Sequence, residues 1–153
     1  MPRVVTIGVY GSSLDDFLAA LKKHNVKLLI DVRQRRGVRG PEYAWANSRR
    51  LQAALANAGI EYRHIKELAP TTELRQLQYR EDGRLGEGKR SRTKLADEYA
   101  GRYTREILDK VDLQPIVDAM PGDGATALFC VERDPEACHR SLIAERIAAL
   151  TNS

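Results

Sequence analysis

Lys27-Leu28-Leu29-Ile30-Asp31-Val32 is the stretch that decides the fold. Three consecutive branched apolar residues, Leu28, Leu29 and Ile30, leave neither face of a strand for solvent. A strand buried on both faces belongs to a parallel sheet covered by helices. Residues 125–131, Ala-Thr-Ala-Leu-Phe-Cys-Val, read the same way, and residues 4–9 and 60–65 are shorter, weaker versions. Helical patterns lie between these runs. Tyr10-Gly11-Ser12-Ser13 makes a turn, Ser13 and Asp16 resemble a capping box, and Leu14, Phe17, Leu18 and Leu21 recur at helical spacing. Residues 43–58 read as a helix closed by Gly59, followed by helices over 93–108 and 113–120. Asp134-Pro135, a cap residue and a proline at the first helical position, starts a last helix that reaches Leu150.

Strands alternating with helices predict an α/β fold, a small open parallel sheet of four strands flanked by helices. Right-handed crossovers with one long connection before the last strand favour the order 3-2-1-4. No repeat or second domain is visible, so residues 1–153 are expected to form one domain. Pro, Gly and charge over residues 70–94 suggest a mobile basic excursion from it.

A chain of this length buries roughly 70% of its unfolded surface, enough for a core without covalent staples. Two cysteines, Cys130 and Cys138, exclude a disulfide framework and suit a reducing compartment. No apolar run approaches the ~20 residues of a membrane helix. Met1-Pro2-Arg3 runs straight into a strand pattern, which is not a signal peptide. The expectation is a cytoplasmic protein with no membrane partner. The net charge of +4 is unevenly spread. Residues 33–50 hold six arginines against Glu42, and residues 80–94 carry a local +3, so the remainder is acidic. Basic loops of this kind suit phosphates, and solvated surface is the plainer alternative.

In an open parallel sheet, ligands bind beyond the carboxyl ends of the strands. Those ends bring Tyr10–Ser13, Asp31-Val32-Arg33, His64 with Glu67, and Cys130 through Arg140 to one edge. Asp31, Cys130 and His139 are therefore expected to cluster. The catalytic candidates are Asp31 and His139 as acid or base and Cys138 as nucleophile. Arg33, Arg35, Arg36, Arg39 and Arg140 are the candidates for holding an anion. Helical spacing turns His139 toward the core, with Cys138 about one turn inside the helix and a positive helix end beside it. Each residue also has a packing reading. Cys130 and Cys138 serve as small hydrophobes, His139 satisfies a backbone carbonyl, Asp31 is held by loop N–H groups or Arg33, and Ser12 and Ser13 cap.

Several motifs are absent. There is no G-x-x-x-x-G-K-[ST], and Gly8-Val9-Tyr10-Gly11 is no dinucleotide fingerprint. The cysteine phosphatase spacing fails because Glu136 stands where an arginine is needed. Cys130, Cys138 and His139 offer three zinc-type donors, but their spacing matches no common structural site. No cofactor is expected and no metal is assigned.

Thr6-Ile7-Gly8, Leu29-Ile30-Asp31-Val32-Arg33 and Cys130…Asp134-Pro135-Glu136-Ala137-Cys138-His139-Arg140-Ser141-Leu142 together resemble the domain-of-unknown-function 488 family. The spaced cysteine before Cys-His-Arg-Ser is the most specific part. Many members carry His-Ser after Thr-Ile-Gly, where this chain has Val9-Tyr10. A role for a histidine at that point does not transfer. The resemblance implies the α/β fold and the site rather than an activity. Three classes of function stay open beside it. One is an enzyme acting on a phosphate-bearing nucleotide or nucleic-acid substrate. Another is a non-catalytic nucleic-acid-binding accessory module. The third is a thiol redox or metal-binding protein.

Overall fold

The computed structural model describes residues 3–34, 36–37, 40–84, 95–130 and 138–151. Strands β1 (Arg3–Ile7), β2 (Val26–Asp31), β3 (Glu61–His64) and β4 (Ala125–Phe129) form one sheet, every neighbouring pair parallel. Helices α1 (Leu14–Lys23), α2 (Ser48–Asn57), α3 (Thr72–Arg84), α4 (Asp97–Glu106), α5 (Gln114–Asp118) and α6 (Arg140–Thr151) surround it. No helix among the described residues is long and apolar enough to cross a membrane.

The strand order is β1-β4-β2-β3, which corrects the expected 3-2-1-4. The last strand enters between the first two. Burial supplies the reason: all five residues of β4 are buried, whereas no residue of β1 is. The most apolar strand takes the position with a neighbour on each side, and β1, headed by Arg3, takes the edge. β1→β2 and β2→β3 cross the sheet in one direction and β3→β4 returns. Uniformly right-handed crossovers then put α1 and α2 on one face and α3–α5 on the other. On the first face Phe17 packs tilted on Trp45 and edge-on to Phe129, with ring centres 4.9 and 5.4 Å apart.

Local chemistry sets the element ends. Ser13 Oγ accepts from the Asp16 N–H at 3.1 Å, which caps α1. The expected helix over 43–58 is divided. A 3₁₀ stretch, Pro41–Ala46, buries Trp45 and Ala46, and Asn47 turns extended before α2 begins. Gly59, at φ +74°, closes α2 with bonds from Gly59 N to Ala56 O and from Ile60 N to Leu55 O. This pair of bonds is the Schellman arrangement, and its αL position suits glycine. Residues 72–84, expected within an excursion, instead fold as α3 and bury Leu74, Leu77, Gln78 and Asp82. Gln78 ties α3 forward through Asp82 and the Ala96 N–H. The rest of that stretch, 85–94, lies outside the described residues.

Candidate functional site at the carboxyl edge

Because β4 separates β1 from β2, its end lies between theirs. Cys130 N donates to Ile7 O at 3.3 Å and Val32 N to Phe129 O at 3.1 Å. The ladder thus continues one residue beyond the strands and brings Cys130 and Val32 side by side. Asp31 and Cys130 share an edge, as expected from parallel pairing.

Asp31 is fully buried and accepts four hydrogen bonds. They come from Arg33 N at 3.1 Å, Arg33 Nε at 2.9 Å, Arg33 Nη2 at 2.8 Å and the Tyr62 hydroxyl at 2.6 Å. Arg33 Nη1 donates to Ala46 O at 2.9 Å, and its guanidinium lies 4.7 Å above the Phe129 ring. Every nitrogen group of Arg33 is therefore engaged inside the protein, and Asp31 has its lone pairs filled. The pair holds the turn after β2. Burial, and then the bond to Asp31, push the Tyr62 phenol above its usual range. The guanidinium of Arg36, partly exposed, is raised chiefly by its hydrogen bond with Tyr62.

Two imidazoles grip consecutive carbonyls of that turn. His139 Nε2 lies 2.8 Å from Val32 O, and His64 Nε2 lies 2.8 Å from Arg33 O. A carbonyl only accepts, so each Nε2 carries the proton, and Nδ1 of a neutral ring keeps its lone pair. In His139 that lone pair faces Cys138 Sγ at 3.4 Å, so the thiol is the donor. The Cys130 and Cys138 sulfurs and a His139 ring nitrogen all lie within 4.8 Å of one another. All three residues are at most 5% exposed. Cys130 is pushed up to about 12, first by its hydrogen bond with Cys138 and then by burial, so it stays a thiol. Tyr103 of α4 covers the cluster with its ring centre 5.3 Å from that of His139, and its hydroxyl donates to Leu68 O at 2.5 Å. Burial, and then the two sulfurs, hold its phenol well above the usual range.

Several sequence expectations change in detail. Cys138 and His139 stand just before the first helical residue of α6, Arg140, rather than one turn inside. His139 does face the core. Arg140, a candidate for holding an anion, is completely buried. Arg35 and Arg39, and the expected cap Asp134-Pro135, lie outside the described residues. Tyr62 and Tyr103 were not singled out by the sequence. The i, i+2 spacing of Tyr62 and His64 on one face of β3 is the signal that finds the first.

The fold and site define an open parallel α/β domain with two thiols and an imidazole enclosed at its carboxyl edge. The chain belongs to the family described as domain of unknown function DUF488, whose model matches residues 13–147. No curated protein and no solved structure matches it.

Proposed function

We propose that the protein is a thiol redox protein in which Cys138 is the attacking sulfur. The Cys138–His139 hydrogen bond, set by the Val32 carbonyl on the far side of the ring, carries this reading. It supplies a nucleophile, a base and a group that orients the base. With Cys138 2% exposed, the co-reactant must be small, and a hydroperoxide fits. His139 Nδ1 takes the thiol proton while Cys138 Sγ attacks the peroxide oxygen. The O–O bond breaks, an alcohol or water leaves with that proton, and Cys138 becomes a sulfenic acid. Cys130 Sγ then attacks Cys138 Sγ. An S–S bond forms and water leaves with the Cys130 proton, so the peroxide is reduced by two electrons and the dithiol oxidised. Closing the bond brings two sulfurs now within 4.8 Å to about 2.05 Å.

Hydrogen peroxide added to reduced, folded protein is expected to give a product two hydrogens lighter, with Cys130 and Cys138 joined. Cys130→Ser should stop at a Cys138 sulfenic acid that a dimedone-type reagent captures. His139→Asn should slow the first step by about 10²-fold, the scale of a lost general base. Thiols that stay unmodified until denaturant is added would end this reading.

A second reading, an enzyme or accessory module for a phosphate-bearing nucleotide or nucleic acid, is favoured by Arg36. It stands partly exposed beside Tyr62, in a basic loop at the same edge. Replacing Arg35, Arg36 and Arg39 with alanine should weaken binding to single-stranded DNA or RNA and flatten its salt dependence. Stability should shift by only about 0.5 kcal/mol. Equal affinity of variant and wild type at low salt removes the reading.

A further inference from the structure

We propose that Cys130, Cys138 and His139 form a site for a zinc-type divalent cation, bound through the two sulfurs and Nδ1 of the imidazole. The inference rests on the same atoms as the thiol reading and deepens it by naming what regulates them.

The first support is spacing. A tetrahedral zinc with ordinary bond lengths sets two sulfurs about 3.8 Å apart and a sulfur and a nitrogen about 3.6 Å apart. Cys138 Sγ and His139 Nδ1 are already 3.4 Å apart, and the three donors lie within 4.8 Å of one another. Only small side-chain rotations separate this arrangement from a coordination triangle.

The second support is the tautomer. Metal-binding histidines usually donate their other ring N–H to a carbonyl or carboxylate, which fixes the ring and leaves a lone pair for the metal. His139 has that arrangement, with Nε2 on Val32 O and Nδ1 turned to the sulfurs. Val32 is held in turn by its own N–H bond to Phe129 O, so the ligand is aimed from the sheet itself.

The third support is donor chemistry. Two sulfurs and one imidazole nitrogen are soft and borderline ligands, which select zinc over magnesium or calcium. Burial at 5%, 2% and 4% exposure for Cys130, Cys138 and His139 excludes most competing water. Three protein donors converge among the described residues, which leaves a coordination position for a solvent molecule or a small ligand. Binding displaces the two thiol protons to solvent, so the cation is held by two thiolates and a neutral ring.

Occupancy and peroxide chemistry exclude each other. A bound cation takes the lone pair of His139 and both sulfurs, so Cys138 loses its base. A Cys130–Cys138 disulfide offers no thiolate to a metal. The cation therefore acts as a brake on the thiol pair, and oxidation releases it.

The test uses the reduced full chain, stripped with a chelator and titrated with Co²⁺ as the probe, then with Zn²⁺ in competition. The expected result is one cobalt per chain, with thiolate-to-cobalt charge-transfer absorption that zinc abolishes. Cys130→Ser and His139→Asn should each weaken cobalt binding at least about 10-fold, the lower end of a lost ligand partner. Circular dichroism checks that each variant is folded. Wild-type protein gives a readout that needs no variant, since saturating zinc should slow peroxide oxidation of the thiols by about 10²-fold, the scale of a lost general base. Folded, reduced wild type that shows no charge-transfer band with cobalt overturns the site. If its thiols nevertheless form the disulfide, the thiol reading survives alone. A cobalt band in a protein whose thiols never form a disulfide supports the metal site and removes the redox reading.

Discussion

Asp31→Ala is expected to destabilise the protein by about 3–5 kcal/mol, the cost of stranding a buried charge. Arg33 is 3% exposed and directs its Nε and Nη2 at the Asp31 carboxylate, so removing that carboxylate leaves a guanidinium in the interior with only Ala46 O and an aromatic face. The Tyr62 hydroxyl loses its acceptor in the same change. Asp31→Leu combined with Arg33→Met should recover most of the loss, because an apolar pair of similar size carries no desolvation penalty. Urea unfolding of the single and double variants measures both effects. A single variant that costs less than about 1 kcal/mol would mean that the pair is not what holds the turn after β2.

Phe129→Ala should cost a similar amount, about 3–5 kcal/mol, through a cavity in the most enclosed part of the core. Phe129 is fully buried, meets Phe17 edge-on, and carries the Arg33 guanidinium on its face. Phe129→Leu keeps much of the volume and should cost less than about 1.5 kcal/mol. Phe129→Ala and Asp31→Ala should not add, since both act on Arg33. Thermal or urea unfolding of the double variant reads the coupling. Strict additivity would show that the ring and the carboxylate stabilise the arginine independently.

The central strands were legible because burial on both faces writes itself into composition, as in Leu28-Leu29-Ile30 and Ala125-Thr126-Ala127-Leu128-Phe129. Their order was not. Which strand enters between β1 and β2 depends on long-range pairing, of which the contrast between apolar β4 and Arg3-headed β1 is only a faint local trace. The parallel arrangement sufficed to bring Asp31, Cys130 and His139 to one edge, because either order sends all strand ends the same way. Charge was the poorer guide. Charge marks Arg33 and Arg140 as candidates for holding an anion, yet both are buried. Arg33 follows Asp31 by two residues and folds back onto it, which is the packing alternative that the sequence also offers. Tyr62 stayed hidden because its role lies in a diagonal contact between β3 and the end of β2.

The grip of His64 and His139 on the Arg33 and Val32 carbonyls has a consequence for how the edge is assembled. The two bonds come from residues 31 and 107 positions further along the chain, one on β3 and one just before α6. The turn after β2 is thus a junction of three distant segments, and it takes its final shape only when both partners have reached it.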